Sequence, residues 1–392
     1  MKILFLTSRF PYPLEKGDKL RSYHFIKGLS RNHEVHLASI SDIPVSDNDM
    51  QQVKKFCSSI KVFRINKPGI AFNIAKAYFG KLPLQTAYFF NTDIQKQITA
   101  YGKSIAPDII VCMLTRMAEY AEVFTGIPKL LDYQDVFSKG VERRMGNTGF
   151  FLRSVLQHEA SNQLQYERNV FDMFDEKIII SSQDRNLIPH PLNSSIHIIT
   201  NGVDTEYFSP QPSEKKYDLL FTGNMNYPPN IESADYLVNE ILPHVRKRIP
   251  GVSLLIAGAN PSARVRKLQS ETVHVSGWVD DIRASYASAR IFIAPMLINI
   301  GLQNKILEAM AMNLPCITSP LANNAIGGAD RENILVAASP QQYAEKIFLL
   351  NDDNVFARSI AEKGNEFVKK NYTWERSIER LEHIINRMAE RN

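Results

Sequence analysis

The sequence predicts an α/β protein built from two doubly wound, Rossmann-like domains facing each other across a cleft. Three observations predict it. Short apolar runs alternate with helical patterns from end to end. The alternation pauses at a polar, proline-bearing stretch, 209–216, and then restarts. The length, 392 residues, exceeds what one core organises.

In the first half, Lys2 to Leu6, Glu34 to Ala38, Lys61 to Arg64, Asp108 to Cys112, Lys129 to Leu131, Lys177 to Ser181 and Ile196 to Thr200 read as strands. Several are unbroken apolar runs, as strands buried on both faces of a parallel sheet must be. Helices are expected over Leu20 to Ser30 and Phe151 to Phe174, and Asn201-Gly202-Val203-Asp204 reads as a turn. The second half offers strands at Tyr217 to Thr222, Ser253 to Ala257, Thr272 to Val275, Ile291 to Ala294 and Cys316 to Thr318. Helices Glu232 to Ile249, Ile282 to Ala287 and Lys305 to Met312 intervene.

Composition narrows the class. At 44% hydrophobic and 22% charged residues the chain reads as soluble and globular. A net charge of +5 suits anionic substrates or an anionic membrane surface without demanding either. No basic run interleaved with aromatics points to nucleic acid. Cys57, Cys112 and Cys316 are scattered, so they read as reduced thiols rather than a disulfide or metal framework. No segment approaches the roughly 18 apolar residues of a spanning helix. The expectation is a cytoplasmic protein, at most peripheral at the inner face of a membrane.

The most informative stretch is Asn304-Lys305-Ile306-Leu307-Glu308-Ala309-Met310-Ala311. Its apolar spacing is helical, which places Gly301 to Asn304 at the helix start, where unpartnered amides and the macrodipole favour an anion. Lys305 adds a charge, and Glu308 lies three residues on, on the same face. Such a pair suits a ligand with both phosphate and hydroxyls; a surface ion pair on a capped helix is the plainer alternative. Gly223-Asn224, after the first strand of the second half, offers amides to a phosphate. The loop Gly277-Trp278-Val279 offers backbone groups to a nucleobase edge. In the first half, Gly17, Asp18 and Arg21 follow the first strand. Asp132 and Asp135 leave another strand as candidates for acceptor contacts or proton handling, and Arg116 could meet an anionic acceptor. The aromatic stretch 71–90 reads as core or as a membrane-facing patch, core being the commoner fate of such stripes.

Taken together, Pro11-Tyr12-Pro13 through Gly17, Asp18 and Arg21, then Asn201-Gly202-Val203-Asp204, Gly223, Gly258, Gly277, and Gly301 with Asn304-Lys305-x-x-Glu308 resemble retaining glycosyltransferases of family 4, which have the GT-B fold. The resemblance implies an N-terminal acceptor-side domain over 1–200, a C-terminal nucleotide-sugar donor domain over 201–371, and a final helix within 372–392 that crosses back. It implies sugar transfer from a nucleotide sugar to an acceptor hydroxyl, on a cell-surface polysaccharide or lipid-linked glycan, without cofactor or metal. Gly17, Asp18, Gly223, Asn224, Gly277, Val279, Gly301, Leu302, Asn304, Lys305 and Glu308 would hold the donor. Arg21, Arg116 and Asp132 would line the acceptor side, with Lys305 and Asp135 catalytic. Three departures stand out. Ile300 occupies the place of a first glutamate, no Arg–Lys pair follows Asn224, and no histidine accompanies Asp132 to Asp135. A sugar-nucleotide epimerase and a non-catalytic nucleotide-sugar-binding partner are the rival readings.

Overall fold

The computed structural model describes residues 1–78, 80, 82–145, 150–298 and 302–390. By its internal contacts the chain divides into two units, Met1–Thr200 with Ser377–Asn392, and Asn201–Arg376.

The first unit contains a seven-stranded sheet of β1 (Lys2–Thr7), β2 (Glu34–Ser41), β3 (Ser59–Arg64), β4 (Ile109–Met113), β5 (Lys129–Asp132), β6 (Glu176–Ile179) and β7 (His197–Ile198). Their spatial order is β3-β2-β1-β4-β5-β6-β7, and every pairing is parallel. The second unit contains β8 (Tyr217–Thr222), β9 (Leu254–Ala257), β10 (Val273–Gly277), β11 (Ala289–Ala294), β12 (Cys316–Thr318) and β13 (Leu335–Val336). Their order is β10-β9-β8-β11-β12-β13, again all parallel. These are two Rossmann-like parallel sheets. In each, strand order reverses beside the unit's first strand, between β1 and β4 and between β8 and β11. Loops leaving the carboxyl ends of such a pair diverge and open a crevice.

The unbroken apolar strands are buried as expected: Ile3 to Leu6 and Ile109 to Cys112 are fully inaccessible. The expected single helix Glu232 to Ile249 is instead three segments, Pro228–Tyr236, a π turn Leu237–Ile241, and Leu242–Arg246. Pro243 supplies no amide, so the hydrogen-bond register shifts in the turn before it. The proline-bearing stretch 209–216 lies inside the second unit, because the turn before it already belongs there. Val203 N donates to Tyr372 O at 2.7 Å, and a Cβ on Gly202 would meet Trp374 N at 2.3 Å. The final helix, Trp374–Glu390, enters the first unit at Ser377, whose Oγ donates to Thr200 O at 2.9 Å. The aromatic stretch divides: Phe89 is buried, whereas Phe72 is 70% exposed. Phe79 lies outside the described residues.

Candidate active site

In the second unit the polar groups gather at the β8/β11 switch point. The helix after β11 runs Asn304–Ala311 and buries Ile306, Leu307 and Met310. That leaves Lys305 and Glu308 on its half-buried side, where they meet residues of other elements. Lys305 Nζ donates to Asn230 Oδ1, approaches Met296 Sδ at 3.7 Å and sits 4.9 Å from the centre of the Phe221 ring. Asn230 in turn donates from Nδ2 to Asn224 O at 3.0 Å, pinning the loop after β8. Glu308 Oε2 accepts from the Tyr286 hydroxyl at 2.8 Å, and the same hydroxyl lies 2.9 Å from Thr222 Oγ1. Burial lowers the Lys305 ammonium to about 7, against the opposing pull of Glu308. Burial also raises Glu308, with Tyr286 and Lys305 limiting the rise. An ammonium and a carboxylate held in place beside a helix start can grip an anion and a pair of hydroxyls at once.

Glycines close this end of the sheet. Gly223 has φ +154°, and a Cβ there would meet Asn230 Nδ2 at 2.6 Å. A Cβ on Gly258 would meet Gly223 O at 1.9 Å, and Gly258 N donates to Gly277 O at 3.0 Å. The amides of Gly223 and Met225 are taken by Ala257 O and Ala259 O. In the same loop, Asn224 N makes no backbone hydrogen bond among the described residues. Gly277 adopts φ +70° before the half-buried Val279, and Trp278 beside them is 68% exposed. Leu302 packs on the unit's core, and Asn304 Oδ1 is buried with no partner among the described residues. Gly301 and Ile300 lie outside the described residues.

The first unit repeats the arrangement at its β1/β4 switch point. Asp18 Oδ2 accepts from Arg9 Nη1 at 2.7 Å and from Arg116 Nη2 at 2.8 Å, and Arg116 Nε donates to Ser8 Oγ at 2.7 Å. Burial alone would raise Asp18; Arg116 and Arg9 outweigh it and hold the carboxyl below its usual range. Burial brings Arg116 down to about 10, and the charge of Arg9 adds to the effect. Arg116 also stacks 4.6 Å from the Phe89 ring centre. Asp135 is half-buried just beyond β5. A Cβ on Gly17 would meet nothing within 4 Å, so the fold itself does not require glycine there.

Two expected acceptor residues are placed otherwise. Arg21 and Asp132 are both fully inaccessible and joined by a 2.5 Å bond from Nε to Oδ2. With no surface to offer a substrate, they tie the helix Gly17–Leu29 to the end of β5. Asp281 caps the helix Ile282–Ala287, its side chain accepting from Arg283 N at 2.9 Å.

Residues 216–353 match the family model described as glycosyl transferases group 1. An uncharacterised 44.6 kDa protein of the cps region of Klebsiella pneumoniae is 22% identical, over 95% of this chain and 96% of its own length. A GDP-mannose-dependent α-(1-6)-phosphatidylinositol monomannoside mannosyltransferase of Mycobacterium tuberculosis is 26% identical, over 62% of this chain and 71% of its own. Among solved structures, Anabaena Alr3699/HepE in complex with UDP superposes with a TM-score of 0.72 at 13% identity, covering 98% of this chain and 100% of that one. The chain is a glycosyltransferase of the GT-B fold, with the group 1 match lying in its second unit.

In the sequence, Lys305 and Glu308 are legible locally as a cation and a carboxylate at a helix start. The residues that hold them are not. Asn230 and Tyr286 stand 75 and 22 residues from their partners, and only the fold joins them. A buried tyrosine hydroxyl needs a partner, which is the one general signal that could have flagged Tyr286. Arg9 and Ser8, just before Pro11-Tyr12-Pro13, carry no such local signal either.

Proposed function

We propose that this glycosyltransferase moves a sugar from a nucleotide-sugar donor to an acceptor hydroxyl with retention of anomeric configuration and without a metal. The carrying observation is the Lys305–Glu308 pair, anchored by Asn230 and Tyr286 where the β8 and β11 loops diverge. In this reading Glu308 takes the ribose hydroxyls through Oε1, since Tyr286 holds Oε2. Lys305, Asn224 N and the first amides of the helix Asn304–Ala311 take the diphosphate. Negative charge develops on the departing nucleoside diphosphate, and donors already aimed at it lower the barrier without reorganising. Val279 and the backbone around Gly277 receive the nucleobase. In the first unit Arg116 lines the acceptor side, Asp18 contributes to donor binding, and Asp135 handles the acceptor proton. Gly17 provides room for close approach.

A polysaccharide or lipid-linked acceptor is supported by the cps-region relative and the mannosyltransferase relative. No helix among the described residues is long and apolar enough to cross a membrane. Peripheral attachment at the cytoplasmic face would fall to the exposed Phe72 and neighbouring Lys76 on the helix Lys67–Tyr78.

The test is donor turnover in the presence of EDTA, followed by release of nucleoside diphosphate, with proton NMR of the glycoside formed. Retention at an undiminished rate is expected. Inversion, or turnover only after added Mg²⁺, would contradict the reading.

A further inference from the structure

The second unit has a cavity at the opposite end of its sheet from the site above. It measures about 260 Å³ and is lined by residues at the starts of β8 and β11 and by the helices Pro340–Asp352 and Asn354–Asn371. Both strands are six residues long. At about 3.3 Å per residue, the cavity lies on the order of 17–20 Å from Gly223. That distance separates it from the Lys305–Glu308 site.

Its two surfaces differ in chemistry. The floor is apolar, with Ile291, Leu314 and Leu350. The rim carries Lys215, Arg290 and Arg358 against a single carboxylate, Asp218. Asp218 is already engaged, since its Oδ2 accepts from Ser253 N at 2.9 Å and from Ser253 Oγ at 2.8 Å. Its Oδ1 stands 3.8 Å from Arg290 Nε, a loose pairing. Lys215 Nζ donates to Ala287 O at 2.9 Å. Burial and the neighbouring Arg290 charge both lower the Lys215 pKa. Arg358 is exposed and forms no ion pair among the described residues. All three cations are exposed at the mouth of the cavity, and the repulsion between Lys215 and Arg290 is relieved when an anion joins them.

We propose that this cavity binds an amphiphilic anion, with a phosphate or carboxylate met by Lys215, Arg290 and Arg358 and a short apolar segment covering the floor. A bare anion would leave the floor wet, and a neutral amphiphile would leave the cations without a counter-charge. Binding here uses none of the groups assigned to donor or acceptor, so it stands or falls separately from the transferase reading.

Isothermal titration of the full chain with octyl phosphate, inorganic phosphate and octyl glucoside, each below its micellar range, tests it. Octyl phosphate is expected to bind at one site, at least tenfold more tightly than either comparison compound. Arg290→Ala with Arg358→Ala should weaken it at least tenfold. Ala357 also lines the cavity, and Ala357→Leu, which keeps the rim and narrows the apolar space, should weaken it as well. Arg358→Glu, at an exposed helix position, keeps the test decisive if the double variant folds poorly. Equal binding of inorganic phosphate, equal binding of octyl glucoside, or undiminished binding to Arg358→Glu would each overturn the proposal.

Discussion

Lys305 draws its chemical character from its neighbours. Burial sets its ammonium near 7, well below the ordinary 10.5. Between those values the unfolded chain holds more protons than the folded one, so the lysine's contribution to stability rises with pH across that window. Below about 7 the opposition of the buried charge is felt in full. Anion binding runs the other way, because a diphosphate favours the protonated form. The Kd of a nucleoside diphosphate should therefore rise by up to about tenfold per pH unit above 7, a slope that titration calorimetry should find absent in Lys305→Met. Two glycines make a second prediction at this scale. Gly223→Ala places a Cβ 2.6 Å from Asn230 Nδ2 at a φ of +154°. It should lose about 1–3 kcal/mol in urea denaturation. Gly17→Ala meets nothing within 4 Å. It should stay within about 0.5 kcal/mol of wild type while turnover falls, because the room it fills is a ligand's. Full turnover in Gly17→Ala would remove that residue from the site.

At the scale of elements, the Arg21–Asp132 pair decides how the helix Gly17–Leu29 is fixed to β5. Removing one partner strands a buried charge, so Arg21→Leu should cost about 3–5 kcal/mol in chemical denaturation. Replacing both with leucine should recover most of that loss. An acceptor-binding role would instead leave stability nearly untouched by the single change. The sequence showed these as polar residues beside strands, which is the same local signal that Lys305 and Glu308 give. Whether such a residue faces a ligand or a buried partner is settled by elements 111 residues apart. The strands themselves were legible because burial on both faces demands unbroken apolar runs. β13 was not, since two residues, Leu335–Val336, leave no periodicity to read. The break at Leu237–Ile241 was hidden by an apolar pattern that continues through Pro243.

Across the whole molecule, one rule of topology places the chemistry twice. Each unit reverses its strand order beside its own first strand, and each gathers its paired charges there: Asp18 with Arg9 and Arg116, and Lys305 with Glu308. Motif order along the chain was enough to suggest that plan. The supports, Asn230 and Tyr286, required the fold. The claim that the second of these points holds a nucleotide-sugar donor is tested most directly by thermal unfolding with UDP-, GDP-, ADP- and TDP-sugars, EDTA present, in wild type and Glu308→Ala. A ligand that binds only the folded chain stabilises it by about 2.7 kcal/mol at a hundred times its Kd. The expected result is a rise in Tm with one nucleotide that disappears in Glu308→Ala. No rise with any of the four, or an equal rise in the variant, would contradict it.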